Sequence, residues 1–156
     1  MEAEPDQQAE DFGTILAFAF VTFMDGLEAA LDAAGHTPSR GQYGFVLRAL
    51  LDGPLSLRDL AEQLDMTSPG ALKIVDSLEA DGYVTRRRSE TDGRVRTIEL
   101  TDRGRDFIAV ARRFHHRFEA ELAAEVGADA AADTRRALTA IVGRRSATIP
   151  RMYRRP

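Results

Sequence analysis

The chain of 156 residues contains no cysteine, which excludes disulfides and any thiol-based oxidation sensor. It also lacks a glycine-rich phosphate loop and a His-x-x-x-His pair for zinc. His115 and His116 are adjacent, so on a helix they point to different sides and do not share an ion. No enzyme, no cofactor and no metal site is expected. The first 39 residues hold neither Lys nor Arg, and the stretch Met1 to Asp11 is acidic, unlike the basic start of a secretion signal. The longest apolar run, Ile15 to Met24 with one Thr, is too short for a bilayer. A cytoplasmic protein with no membrane partner is expected. No internal repeat or low-complexity linker is visible, and the length and a hydrophobic content of 44% fit one domain with a real core.

The overall charge of −4 argues against a nucleic-acid partner, but its distribution argues for one. Eight acidic residues and no basic one fall in 1–39, so the rest carries 21 basic against 17 acidic, a net of +4. Between 84 and 105, seven arginines face four acids. Phosphate binding depends on this local field rather than on the total.

The central stretch from Ser56 to Val84 reads as two helices joined by a tight turn. Ser56 caps the first, with Asp59 three positions on at capping-box spacing. Leu57, Leu60, Ala61 and Leu64 repeat at helical spacing. This helix of about two turns is too short to stand alone. Thr67 caps the second, Pro69 falls in its first turn, and Asp81-Gly82 supplies a left-handed stop. Ala71, Ile74, Val75 and Leu78 form its buried stripe, leaving Ser68, Gly70, Leu72, Lys73 and Asp76 on the other side. Two short helices crossing at a tight turn match the helix-turn-helix, whose second helix enters the major groove.

Tyr83 to Arg88 and Val95 to Leu100 follow as two short strands around the turn signal Thr91-Asp92-Gly93. This hairpin carries Arg86, Arg87, Arg88, Arg94 and Arg96, with Arg94 near its tip. A helix-turn-helix followed at once by an arginine-bearing hairpin is a winged helix; a solvated charged hairpin is the plainer alternative.

The chain resembles the MarR (multiple antibiotic resistance regulator) family of winged-helix transcription regulators. The likeness is carried by Leu60-Ala61-Glu62-Gln63-Leu64 and by the run Lys73 to Val84. Asp92-Gly93-Arg94 matches the family's wing-tip Asp-x-Arg, and Leu100-Thr101-Asp102-Arg103-Gly104 its LT-x-x-G opening of the next helix. Each piece alone is weak, and their order and spacing are specific together. Two positions depart from the pattern. Asp65 stands where such turns usually carry glycine, and Leu72 where a small polar residue is common.

The expected fold is mainly α with a small β-hairpin: a winged helix-turn-helix (about 40–101) flanked by N- and C-terminal dimerisation helices (about 11–34 and 102–147). Residues 1–10 read as a disordered acidic N-terminus, 11–147 as one MarR-like domain, and 148–156 as a basic tail. Helix 11–34 is apolar nearly all round, which requires burial on several sides, most simply against a second subunit. Ser39 is a candidate cap for a helix over about 40–51. Thr101 caps a helix over 102–126 with the stripe Phe107, Val110 or Ala111, Phe114, Phe118, Leu122, and a last helix covers about 129–147. A two-fold dimer of this kind reads a roughly palindromic site.

Helix 67–81 is therefore expected in the major groove and the wing 84–100 in the minor groove. The candidate DNA contacts are Thr67, Ser68, Pro69, Gly70, Leu72, Lys73, Arg86, Arg88, Asp92, Arg94 and Arg96. Ser68 and the helix-start N–H groups suit phosphate, with Gly70 allowing close approach. Lys73 reaches a base edge or a phosphate, or is simply solvated. Leu72 meets a thymine methyl or belongs to the core. Arg94 suits the minor groove, and Asp92 would orient it. The resemblance further implies an effector crevice for a small aromatic or anionic molecule, with candidate lining Phe12, Phe20, Phe23, His36, Tyr43, Arg48 and His115; phenylalanines at helical spacing are otherwise core. The expected function is a ligand-responsive repressor. The alternative is a winged-helix module for protein–protein interaction, which would show no salt-sensitive DNA affinity.

Overall fold

Three consecutive helices begin on a side-chain hydroxyl. In the computed structural model, which describes residues 11–36, 43–88 and 96–143, Ser56 accepts from the Asp59 N–H at the start of a helix over Leu57–Gln63. Thr67 does the same for Gly70 at Ser68–Ala80, and Thr101 for Gly104 at Asp102–Val126. Numbered in chain order, the elements are α1 (Phe12–Ala33), α2 (Tyr43–Ala49), β1 (Leu55–Ser56), α3 (Leu57–Gln63), α4 (Ser68–Ala80), β2 (Val84–Arg88), β3 (Arg96–Leu100), α5 (Asp102–Val126) and α6 (Ala128–Val142). The acidic start, Ser39, the opening residues of the second expected helix, the wing tip with Asp92 and Arg94, and the tail from Arg144 lie outside the described residues.

Asp65, in the turn between α3 and α4, has φ +55°. Asp visits this left-handed region more readily than most residues, so the departure from glycine leaves the turn intact. The end of α4 closes through Gly82 at φ +77°, with the Tyr83 N–H donating to the Leu78 carbonyl at 2.8 Å, a six-to-one closure.

The two expected strands pair antiparallel from Val84↔Leu100 to Arg88↔Arg96. A third, β1, joins the far side of β3 through Leu55↔Ile98 and Ser56↔Thr97, giving the order β1-β3-β2. The core lies beneath this sheet. Val46 and Leu47 of α2, Leu60 of α3, Val75 and Leu78 of α4, Tyr83, Val84, Ile98 and Phe107 form one buried cluster with Leu31 at the end of α1. The expected stripe of α4 is the buried one, and of the α3 stripe Leu60, Ala61 and Leu64 are buried while Leu57 packs partly buried against the core.

Gly104 explains why the segment after the sheet needs a glycine. A Cβ there would stand 2.2 Å from the Tyr83 carbonyl oxygen. Thr101 donates its hydroxyl to the Gly82 carbonyl at 2.7 Å while capping α5. The motif Leu100-Thr101-x-x-Gly104 thus seats the long helix directly against the end of the recognition unit.

The flanking helices are far less covered. Along α1, Phe12, Ile15, Phe18, Phe20 and Val21 are each more than half exposed, and Leu31 is its buried residue. The short run Ile15 to Met24 belongs to a helix of 22 residues that is long and apolar enough, by length and composition, to cross a membrane, so the length argument drawn from the run does not hold for the helix. Its later half packs on α5, where Phe23 meets Phe114 and Phe118 edge-on at 5.3 and 5.1 Å. Gly26 lets the ring of Phe114 approach the helix: a Cβ at Gly26 would lie 2.9 Å from it.

Candidate nucleic-acid interface

The cap and proline that start α4 also fix which side of it is free. With Ala71, Ile74, Val75 and Leu78 turned into the core, Ser68, Pro69, Leu72, Lys73, Asp76 and Ser77 are exposed. Leu72 is 40% exposed, so it belongs to this outer surface rather than to the core. Thr67 is committed to the Gly70 N–H at 3.2 Å. Gly70 has little spare room: a Cβ there would sit 3.1 Å from the Thr67 hydroxyl.

The sheet contributes arginines of three kinds. Arg86 turns back onto α4, donating to Glu79 and Asp76 at 2.6 and 2.5 Å. Arg87 stands 3.6 Å from Glu99 on the neighbouring strand. Arg88 and Arg96 are exposed and directly opposed across the ladder. Two like charges in a cross-strand pair cost stability, and an anion placed between them removes that cost.

The candidate effector residues do not form one site. Phe23 and His115, with ring centroids 5.2 Å apart, share a groove of about 420 Å³ with Phe118, Leu122, Thr134 and Leu138, between α1, α5 and α6. His115 is held below its usual pKa by partial burial, then by the charges of Arg48 and His116; Arg48 is not among the residues lining the groove. His36 and Tyr43 are buried elsewhere. The His36 ring lies 5.4 Å from Phe107 and 5.8 Å from Tyr83, and the Tyr43 hydroxyl donates to Asp81 at 3.2 Å. Phe12 and Phe20 are 70% and 63% exposed. Among the described residues, no group of three or more His, Asp or Glu is placed to hold a metal ion.

Two roles were not legible in the sequence. Arg86 looked like one more cation of the wing, and its partners lie seven and ten positions back on a different element. Glu119 and Arg135 join α5 to α6 by a two-pronged ion pair that spacing did not announce.

Residues 40–95, which include the helix-turn-helix, match the model of the MarR family. Over this stretch the chain is similar to the MarR family. The chain is 33% identical over 75 residues to the uncharacterized HTH-type transcriptional regulator YdgJ of Bacillus subtilis (strain 168), a match that spans 48% of this chain and 46% of YdgJ. YusO from Bacillus subtilis superposes with a TM-score of 0.66 at 19% identity, covering 92% of this chain and 100% of YusO. The transcriptional repressor CouR, solved bound to a 23-mer DNA duplex, superposes with a TM-score of 0.62 at 26% identity, over 91% of this chain and 96% of CouR. The MarR fold is that of transcription regulators.

Proposed function

We propose that the chain is a sequence-specific, DNA-binding transcription regulator that acts as a homodimer on a palindromic operator, with α4 in the major groove and the wing in the minor groove. The observation that carries this reading is the exposed outward face of α4 (Ser68, Pro69, Leu72, Lys73) in a unit whose hairpin also carries the exposed, opposed pair Arg88 and Arg96. A helix with a free outer face and a hairpin rich in cations belong to one small unit, the combination that reading a duplex needs. The duplex bound to CouR is consistent with it.

The exposed phenylalanines of α1 support the homodimer. Phe12, Phe18 and Phe20 are each more than half exposed around α1 on a single chain, and a helix so apolar calls for further burial. A second copy covers it and places two recognition helices about 34 Å apart, one turn of duplex. Repression follows from a dimer clamped over a promoter, in the cytoplasm where the DNA is. The effector is a small aromatic or anionic molecule taken up by the groove beside Phe23 and His115.

A mobility-shift titration with the duplex upstream of the chain's own gene tests the reading. The shift should weaken steeply as salt rises, by about 0.9 log units per log unit of salt for each phosphate neutralised, and one of a panel of aromatic acids should release it. No shift at low salt would sink the DNA-binding reading and favour a protein-binding winged helix.

A further inference from the structure

Arg86 lies in the middle of β2, opposite Ile98, with its side chain only 21% exposed. Its backbone N–H donates to Glu79 Oε1 at 3.1 Å, Nη1 to Glu79 Oε2 at 2.6 Å, and Nη2 to Asp76 Oδ1 at 2.5 Å. Asp76 and Glu79 are three residues apart on α4 and so are neighbours along the helix. Carboxylates on a helix meant to approach a polyanion repel it, so their presence calls for a reason. The fork of Arg86 supplies one: a planar guanidinium spans two acids and holds both in a fixed geometry.

We infer that Arg86 is a positioning residue, which locks the wing to the recognition helix through Asp76 and Glu79 so that both meet DNA as one rigid surface. This rests on the proposed DNA-binding function. Only Asp81, Gly82 and Tyr83 separate α4 from β2, and so short a hinge sets the connection without fixing the angle along the length of both elements. The three bonds of Arg86 lie beyond that hinge and fix it. Groups that read a duplex have to be held to about half an ångström, and a wing free to swing would present Arg88 and Arg96 at variable distance from the backbone.

The double variant Asp76→Asn, Glu79→Gln separates this role from a charge effect, because the two predict opposite signs. Removing two negative charges per subunit, acting through charge alone, raises affinity for DNA. Loss of the clamp lowers it. Fluorescence anisotropy with the upstream duplex at fixed salt should show affinity at least fivefold weaker. In the DNA-free protein, the amides of residues 84–88 should exchange with solvent faster than in the parent. Arg86→Lys is the second variant: a phosphate contact tolerates a lysine, which keeps the charge, whereas a two-carboxylate clamp does not, so a loss of similar size is expected. Affinity unchanged or raised in the double variant, or unchanged in Arg86→Lys, overturns the inference. A parent chain with no salt-dependent DNA affinity would overturn the functional reading with it, whereas a DNA-binding parent and an unweakened variant overturn this inference alone.

Discussion

His36 Nε2 lies 3.0 Å from Asp106 Oδ2, a bond between residues 70 positions apart that fastens the end of α1 to the first turns of α5. The imidazole is almost entirely covered and its Nδ1 has no hydrogen-bond partner, so Nε2–H is the donor to the Asp106 carboxylate. Arg103 reinforces the same junction, donating to the Gly35 carbonyl at 3.1 Å and stacking over the Tyr83 ring at 4.9 Å.

Asp106→Ala removes the acceptor and leaves a buried donor unsatisfied. It should lower stability by about 1–2 kcal/mol, read as a shift in the urea midpoint at constant slope. Once His36 has been replaced by Ala, adding Asp106→Ala should cost much less, because the two residues share one interaction. Additive losses would mean that the pair is not coupled.

Gly104→Ala should destabilise by roughly 2–3 kcal/mol, at the upper end for an overpacked site, because the obstacle is the Tyr83 backbone carbonyl at 2.2 Å and not a side chain that can rotate away. Thermal unfolding followed by circular dichroism measures it. A melting temperature equal to that of the parent would show that α5 can shift without cost.

His115 gives a pH dependence whose sign follows from burial. Its native pKa is lowered from the ordinary 6.5, first by burial and then by Arg48 and His116. As pH falls through 6.5, the unfolded chain takes up a proton that the native chain resists, so the unfolded state is favoured. The His115 contribution is therefore absent well above pH 6.5 and destabilises progressively below it, until the native imidazole also protonates. Urea titrations between pH 7.5 and 5.5 should show a shallower loss for His115→Gln than for the parent; identical slopes would contradict the burial argument.

Lys73 is the chain's single lysine, and it is exposed on α4. An amine-directed reagent should modify its side chain readily in the free protein and slowly in the DNA complex, as read by mass spectrometry. Lys73→Ala should weaken DNA binding. A contact to phosphate predicts a uniform loss across sequences and a salt slope smaller by about one, whereas a base contact predicts a loss of about 1–3 kcal/mol confined to the preferred site. Equal labelling with and without DNA would place Lys73 outside the interface.

Much of the central unit was legible in the linear chain because its decisive interactions are local. The caps at Ser56, Thr67 and Thr101 each reach an N–H three residues on. The stripes of α3 and α4 follow from helical period, and Asp65 occupies the left-handed turn that its side chain tolerates. By contrast, β1 is two residues long and exists only because Leu55 and Ser56 meet Ile98 and Thr97, a pairing with no periodic signal. The effector residues drawn from the resemblance separated for a similar reason. His36 and Tyr43 are aromatic and close to α1 in the chain, yet the packing of Tyr83 and Phe107 draws them inward, while Phe23 and His115 are left lining a groove.

The sequence by itself determined where helices start and stop, which faces of α3 and α4 turn inward, and that positive charge gathers after the second of them, since hydrogen bonds three residues apart and a fixed period need no knowledge of the rest of the chain. Only the tertiary structure decided what each charge does. Arg86, Arg87 and Arg88 are consecutive and chemically identical, yet strand alternation and the nearness of α4 give the first to Asp76 and Glu79, the second to Glu99, and leave the third facing Arg96 across the ladder. A cation's role is set by the nearest carboxylate in space, and that distance is a property of the fold.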